Sequence, residues 1–361
     1  MNVFRQEIEK VILDAIIESQ EIHGTRVVEV DAPSSQSQSQ SQSQSQQQST
    51  SLSSSSSSSP AFLTSLLSKS VAQNRPLVIR RYGQYLNIPA LEKWTNRQYL
   101  NEKIENQQKE TCNHDNLVSV SLTPDGRADT VVGDSFVEPH YKDMPLKDFF
   151  SLLDNNNESS PSYQVPYLQS QNDNLRSGCL SALMDDIPPH VPIASNVFGS
   201  WYGQDDDDNK PDAINLWIGD HRSITSLHKD PYENLYMVIQ GTKSFLLYPP
   251  LEIYCMHETE LVFKSYNAEM KIENNRNEVK DKRPCIPIDP LLYYSDQSET
   301  QKEQMKKYPK FQYAKPITVH LNPGDLLYLP SFWIHHVQQS LSSLTSAPQS
   351  NQPSQAISVN W

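Results

Sequence analysis

The stretch Thr225-Ser-Leu-His228-Lys-Asp230-Pro-Tyr-Glu-Asn234 carries a His-x-Asp pair and then an asparagine, and the chain reaches Lys243 just past Gly241. Residues i and i+2 of a strand point to one face, so His228 and Asp230 can grip a single ion from one strand. Another histidine comes from Trp333-Ile-His335-His336-Val. Two imidazoles and a carboxylate leave coordination positions open, as non-haem Fe(II) oxygen chemistry requires. His335 and His336 alternate on a strand, so only one of them faces inward. Trp333 shares the face of His335, but parity does not say which face that is.

An acidic cosubstrate needs a cation. Lys243 opens the strand expected to pair with the ligand strand, and Thr225 and Tyr167 could join it around a carboxylate. Asn234 and Asn360 could hydrogen-bond the other end of the same molecule. Alone, a His-x-Asp pair is weak evidence and an isolated lysine is ordinarily solvated surface; the combination carries the reading. Thr225 sits at an odd offset from His228, so a straight strand would aim it away. A bulge or the start of the strand must re-aim it.

Many short elements must position these residues. Residues 2–20 read as an amphipathic helix, with Phe4, Ile8, Val11, Ile12, Ala15 and Ile16 at helical spacing. Residues 33–59 form a Ser/Gln tract too poor in apolar groups to offset the entropy of ordering, and disorder is expected. Helices are expected from Pro60, over Leu91–Leu100 and over Pro145–Leu153. Short strands are expected at 77–80, 117–122, 130–132, 135–137, 165–169, 213–219, 234–239, 243–248, 317–321, 326–329, 333–337 and 356–360. Residues 251–316 read as a polar, irregular insertion over one barrel face, and Ser340–Gln355 as a second Ser/Pro/Gln loop. The pattern predicts a mainly β fold with flanking helices (α+β), a double-stranded β-helix of jelly-roll or cupin-like type. Its parts are an N-terminal helical segment (1–32), a disordered insertion (33–59), a flank (60–160) and the barrel (161–361).

The net charge of −13 disfavours nucleic acid as a partner and suits a basic protein or peptide substrate. No apolar run approaches the ~18 residues of a membrane span, and the N-terminus lacks the form of a signal peptide. Cys112, Cys179, Cys255 and Cys285 make no C-x-x-C pair, though their spacing leaves disulfides open. A reduced, intracellular protein is the expectation, cytoplasmic with nuclear residence as an alternative. Asp205–Asp208 lacks the ligand spacing of an EF-hand loop and reads as a solvated surface. No Ser/His/Asp elbow, reactive-cysteine motif or His-Glu-x-x-His motif is present.

Thr225-x-x-His228-x-Asp230, Asn234, Gly241-x-Lys243, Pro323-Gly324-Asp325, Trp333-x-His335 and Val359-Asn360-Trp361 together resemble the cupin-type JmjC 2-oxoglutarate oxygenases, and most closely those acting as (3S)-lysyl hydroxylases. Leu122-Thr-Pro-Asp-Gly-Arg-Ala-Asp129 and Pro211-Asp-Ala-Ile-Asn-Leu-Trp217 extend the likeness over almost the whole chain. The resemblance implies His228, Asp230 and His335 as Fe(II) ligands. It implies Lys243, Thr225 and Tyr167 on the distal carboxylate of 2-oxoglutarate, with Asn234 and Asn360 near its chelating end, and O2 as cosubstrate. It implies a protein substrate with a target lysine, a developmentally regulated GTP-binding protein in the family. Family members continue past the position of Trp361 into helices that make a homodimer; with the sequence ending there, a barrel without that interface is expected and a homodimer is the alternative. An endopeptidase acting on histone tails and a non-catalytic cupin-fold binding module are the competing readings.

Overall fold

The computed structural model describes residues 2–24, 26–33, 59–111, 116–155, 160, 163–202, 210–274, 282–294, 299–340 and 355–361. The expected loops at 34–58, Asp205–Asp208 and 341–354 lie outside the described residues, as does Cys112.

Helix α1 (Asn2–His23) precedes β1 (Val28–Asp31), and α2 (Pro60–Ala72) leads into β2 (Leu77–Arg80). Ser59 caps α2, its Oγ accepting from Phe62 N at 3.2 Å, with Pro60 at the first helical position. Helices α3 (Tyr82–Tyr85), α4 (Ala90–Lys93) and α5 (Arg97–Thr111) follow, then β3 (Leu117–Thr123), β4 (Arg127–Ala128), β5 (Thr130–Val132), β6 (Ser135–Glu138) and β7 (His140–Pro145). Next come α6 (Leu146–Leu153), β8 (Val165–Tyr167), a 3-10 helix over Gly178–Asp186 and α7 (Pro192–Tyr202). The barrel then builds through β9 (Asn215–Gly219), β10 (Ile224–Lys229), β11 (Asn234–Gln240) and β12 (Thr242–Tyr248). An inserted region carries β13 (Thr259–Tyr266), β14 (Ile272–Asn274), β15 (Lys282–Cys285), α8 (Pro290–Tyr294) and α9 (Glu299–Lys307). Strands β16 (Ile317–Leu321), β17 (Leu326–Leu329), β18 (Ile334–Ser340) and β19 (Ala356–Asn360) complete it.

Two sheets oppose each other, one ordered β1-β2-β17-β11-β19-β9 and the other β16-β12-β18-β10-β4. This is the expected double-stranded β-helix. Strand alternation decides what each face does. Val78, Tyr236, Val238, Leu327 and Leu329 turn inward to meet Phe245, Leu247, Val319 and Val337 of the facing sheet. Their neighbours Leu77, Ile79, Leu235, Met237, Tyr328, Ile357 and Val359 pack outward with Trp94, Leu100 and Phe149. The larger sheet is therefore covered on both faces, and its central strands are apolar at nearly every position. The outer face of the smaller sheet buries Leu227, Tyr248 and Ile334 beneath the inserted region and Ile16 of α1.

Four expectations change. Gln240-Gly241-Thr242 does not return the chain beside β10, the strand of His228 with which the strand of Lys243 was expected to pair. It carries the chain from the larger sheet to the smaller, so Lys243 lies on a strand paired with β18 and β16. The helix expected over Leu91–Leu100 breaks after Lys93, because the Asn96 side chain caps a new one by accepting from Gln98 N (2.9 Å) and Tyr99 N (3.3 Å). The region 251–316 is far from irregular: β13 pairs in parallel with β6, matching Val262 to Ser135. In α1, Ile16 is buried, but Ile8 and Val11 of the expected apolar face remain 45% and 66% exposed.

The helices on the larger sheet are tied by Asp186, which is fully buried. It accepts from Lys93 Nζ (2.7 Å), Trp94 Nε1 (3.0 Å) and Tyr99 Oη (2.7 Å). Burial alone would raise its pKa, but these bonds outweigh it and hold the carboxyl below its ordinary value. A depressed native pKa stabilises above the ordinary carboxylate range and ceases to do so as pH falls through the native value. Asp186→Ala is expected to lower stability by about 2–3 kcal/mol in urea unfolding at neutral pH, since the Trp94 indole N–H is left buried without an acceptor. The difference from the unsubstituted protein should shrink in acid.

Candidate active site

Strand β10 brings its side chains to the interior through an irregularity. Thr225 lies opposite Val337 and His228 opposite His335, with a register shift between the two pairs. Ser226 and Leu227 thus face a single residue of β18, and the added residue reverses the alternation. Thr225 and His228 both line the interior cavity, while Leu227 packs outside. This bulge answers the odd offset seen in the sequence. The turn over Thr123–Gly126 holds it: Gly126 has φ +83, and a Cβ there would sit 1.9 Å from the carbonyl oxygen of Arg222. Only glycine admits that approach, which lets Ile224 N donate to Gly126 O at 2.9 Å. Strand β4 then runs beside β10 with Ala128 matched to Thr225, and Ser226 Oγ donates to Ala128 O at 3.4 Å.

His228, Asp230 and His335 offer ligand atoms that all lie within 4.8 Å of one another, a group that could hold a metal ion. Each imidazole is oriented by backbone: His228 Nδ1 meets Ser226 O at 2.8 Å and His335 Nδ1 meets Trp333 O at 2.9 Å. A ring N–H donated to a carbonyl fixes the tautomer and leaves the other nitrogen as the lone-pair donor to a metal. Both Nε2 atoms face Asp230 Oδ2, at 3.6 and 3.8 Å. Asp230 itself is placed by Phe332 N, which donates to its carbonyl at 2.7 Å. Trp333 is pinned by its indole N–H on Asn74 O at 2.9 Å.

The electrostatics fit a cation at this point. Burial opposes ionisation of Asp230, but His228 outweighs it and brings the carboxyl down to about 2. Burial, with the charge of His228, pushes His335 down to about 4. His228 goes the other way, because contact with Asp230 overcomes the desolvation that would lower it. A proton is drawn to the junction where a divalent ion would sit. His336, left open by the sequence, faces outward under the inserted region and does not join the group.

Lys243 is completely buried on the inner face of β12. Its Nζ lies 3.4 Å from Tyr167 Oη and 5.6 Å from the ring centres of Tyr167 and Tyr236. Among the described residues no carboxylate pairs with it, and burial pushes its pKa down to about 7. Tyr167 in turn hydrogen-bonds Thr225. Asn234 and Asn360 line the same cavity, about 810 Å³, as Tyr167, Thr225 and the triad. Asn360 Oδ1 accepts from Trp217 Nε1 at 2.7 Å, whereas Asn234 Oδ1 is buried without a partner. Seven of the eight residues singled out in the sequence therefore line one interior space, and Lys243 stands behind the Tyr167 and Tyr236 side of it. An ammonium with no counter-charge at one end and a His-Asp-His group at the other suit an anion that bridges them. Sequence reasoning missed Tyr236, whose Oη bonds Ser358 Oγ above Lys243. Its place two residues after Asn234 on one strand was the available signal.

A family model described as a cupin-like domain matches residues 63–361. The human bifunctional peptidase and (3S)-lysyl hydroxylase is 35% identical over 277 residues, 75% of each chain. A lysine-specific demethylase of Arabidopsis thaliana is 32% identical over 277 residues, 76% of this chain and 73% of that one. JmjC domain-containing protein E of Dictyostelium discoideum is 30% identical over 297 residues, 77% of this chain and 76% of its own. With a barrel of the right topology already traced from strand to strand, likeness of this extent leaves one assignment: the chain belongs to the cupin-like JmjC family, whose members use Fe(II) and 2-oxoglutarate.

Proposed function

We propose that the chain is an Fe(II)- and 2-oxoglutarate-dependent protein hydroxylase acting on a lysine side chain, with a GTP-binding protein of the developmentally regulated class as its partner. The observation that carries the reading is Lys243, paired with no carboxylate among the described residues and buried against Tyr167 and Tyr236, which line one cavity with His228, Asp230 and His335. The (3S)-lysyl hydroxylase named among the relatives supports lysine as the target. Bound Fe(II) with 2-oxoglutarate would supply oxidative decarboxylation to succinate and CO2, coupled to insertion of an oxygen atom from O2 into a C–H bond. In this reading His228 and His335 present Nε2, and Asp230 adds the anionic oxygen. Lys243, Tyr167 and Thr225 hold the distal carboxylate of 2-oxoglutarate, and Asn234 and Asn360 donate near its other end. The apolar wall of Phe245, Leu329 and Val337 limits water.

A peptidase using a cysteine has little to stand on. Burial raises the thiol pKa of Cys179, and pushes Cys255 to about 12 and Cys285 to about 11, so these described cysteines stay protonated.

Three outcomes test the reading. His228→Ala should abolish succinate formation from 2-oxoglutarate and weaken Mn(II) binding in calorimetry; turnover at the unsubstituted rate would sink the metal assignment. Lys243→Met should weaken 2-oxoglutarate binding on the order of 100-fold, from about 3 kcal/mol for a lost charge-assisted bond, while Mn(II) still binds. The third concerns protons. With a free pKa of about 7, Lys243 is mostly neutral at pH 8, and a carboxylate beside it raises that pKa. Binding of 2-oxoglutarate at pH 8 should then take up close to one proton, read from calorimetry in buffers of different ionisation enthalpy, and Lys243→Met should remove the uptake.

A further inference from the structure

Asn215 has no task in the site just described, yet it lines the same cavity as His228, Asp230 and His335. It opens β9 at the border of the larger sheet, directly opposite Asn360 of β19. Opposed residues share a face, so Asn215 turns inward with Asn360, and with Trp217 two residues on. Leu216 and Ile218 between them pack outward. Asn215 is only 6% exposed.

Its side-chain amide is half satisfied. Oδ1 faces Asn174 N at 3.4 Å. A main-chain N–H can only donate, so the oxygen is the end turned to Asn174 and Nδ2 is the end left over. Asn174 is itself locked, its Oδ1 accepting from Leu216 N at 2.7 Å and its Nδ2 donating to Leu216 O at 3.0 Å. Among the described residues no acceptor takes Asn215 Nδ2. A buried donor without an acceptor is costly to keep.

Place along β9 separates Asn215 from the anchors of the distal carboxylate. Gly219, at the other end of the same face, abuts Tyr167: an added Cβ would lie 2.8 Å from Tyr167 Cδ2. Trp217, between them, has its ring centre 6.0 Å from that of Tyr167, and its indole N–H is taken by Asn360. Four residues of strand at ~3.3 Å each set Asn215 about 13 Å from Gly219 along the strand. Its free donor therefore serves something other than the carboxylate at Tyr167. In the oxygenase reading the oxidised carbon is C3 of a lysine, as in the (3S)-lysyl hydroxylase among the relatives. That carbon is one bond from Cα, so the carbonyl carbon of the same residue follows it at about 2.5 Å. A carbonyl drawn out of water with it needs a donor.

We infer that Asn215 binds the main chain of the substrate, its Nδ2 donating to the carbonyl oxygen of the target lysine. The inference rests on the oxygenase reading above and adds to it the group that holds the peptide itself. It also favours oxidation near the main chain, because attack at the end of the side chain would keep this carbonyl several bonds farther from the metal.

The full chain is loaded with Mn(II) and 2-oxoglutarate and exposed to two peptide libraries with randomised flanks and a fixed central lysine. One is ordinary; in the other the lysine carbonyl is a thioamide, a poorer acceptor of nearly the same shape. Retained peptides are counted by mass spectrometry. The unsubstituted protein should favour the ordinary library about fivefold, equivalent to ~1 kcal/mol. Asn215→Asp, which keeps an oxygen for Asn174 and removes the donor, should retain the two libraries about equally. Asn215→Ala, which adds no charge, should do the same. Calorimetric titration of 2-oxoglutarate accompanies each protein and should be unchanged in both variants. If the unsubstituted protein fails to bind 2-oxoglutarate, the oxygenase reading falls and this inference with it. If it binds 2-oxoglutarate but does not distinguish the libraries, or if either variant keeps the full preference, this inference alone is overturned. Loss of 2-oxoglutarate binding in both variants also overturns it, since Asn215 would then serve the cosubstrate.

Discussion

The site depends on one departure from strand periodicity. An unbroken β10 would send Thr225 and His228 to opposite faces, separating the cosubstrate end of the cavity from the metal end. The bulge at Ser226 and Leu227 brings both inside. A bulge also sacrifices ladder hydrogen bonds and strengthens local twist, so it persists only where its surroundings over-determine it. Here the surroundings are the glycine turn on Arg222, the two-residue strand β4, and the outward burial of Leu227. Asp325 does comparable work across the barrel. It accepts from Arg80 Nη1 at 2.6 Å and from Asn322 N at 2.9 Å, fixing the turn that starts β17. That aspartate belongs to the architecture, although it sits in one of the motifs that carry the family likeness.

Inside this frame the chain places charges that the fold alone does not satisfy. Lys243 is buried among aromatic rings with a weak contact to Tyr167, and Asn234 Oδ1 has no donor. Removing water from such groups costs several kcal/mol unless a partner replaces it. The barrel carries this load on hydrogen-bonded strands with apolar packing on either side. A buried lysine left without a carboxylate and an amide oxygen left without a partner at the cavity are what groups pre-organised for a ligand would show.

Much of this was legible in the sequence, for reasons that differ by element. The strands bearing the site alternate or run apolar within well-marked turns, so period and punctuation sufficed. The bulge was readable as a contradiction: Thr225 belonged inside and its offset said otherwise. The choice between His335 and His336 was beyond parity, since both faces of β18 are buried. The inserted region misled because strand β13 owes its state to a partner more than a hundred residues earlier, β6, and not to its own alternation. The split between α4 and α5 turned on the Asn96 cap, a side-chain decision that a continuous apolar pattern conceals. Helix α7 escaped because Pro192 and Gly199 punctuate a segment whose helicity depends on packing against α2.

Strand β1 stands at the end of the larger sheet, with its second ladder partnerless among the described residues. Its valines are half-buried and its exposed positions are Glu29 and Asp31, held by Arg80 at 2.8 Å and Arg81 at 2.9 Å. A foreign strand that tried to extend the sheet there would have to cover a row of ion pairs. In the sequence, the Ser/Gln repeat begins only a few residues beyond. Glutamine-rich segments are among the sequences most prone to cross-β association, and an open apolar edge beside one would be a template for it. Charged positions on an edge strand disfavour strand addition, and β1 sets two of them just ahead of the repeat.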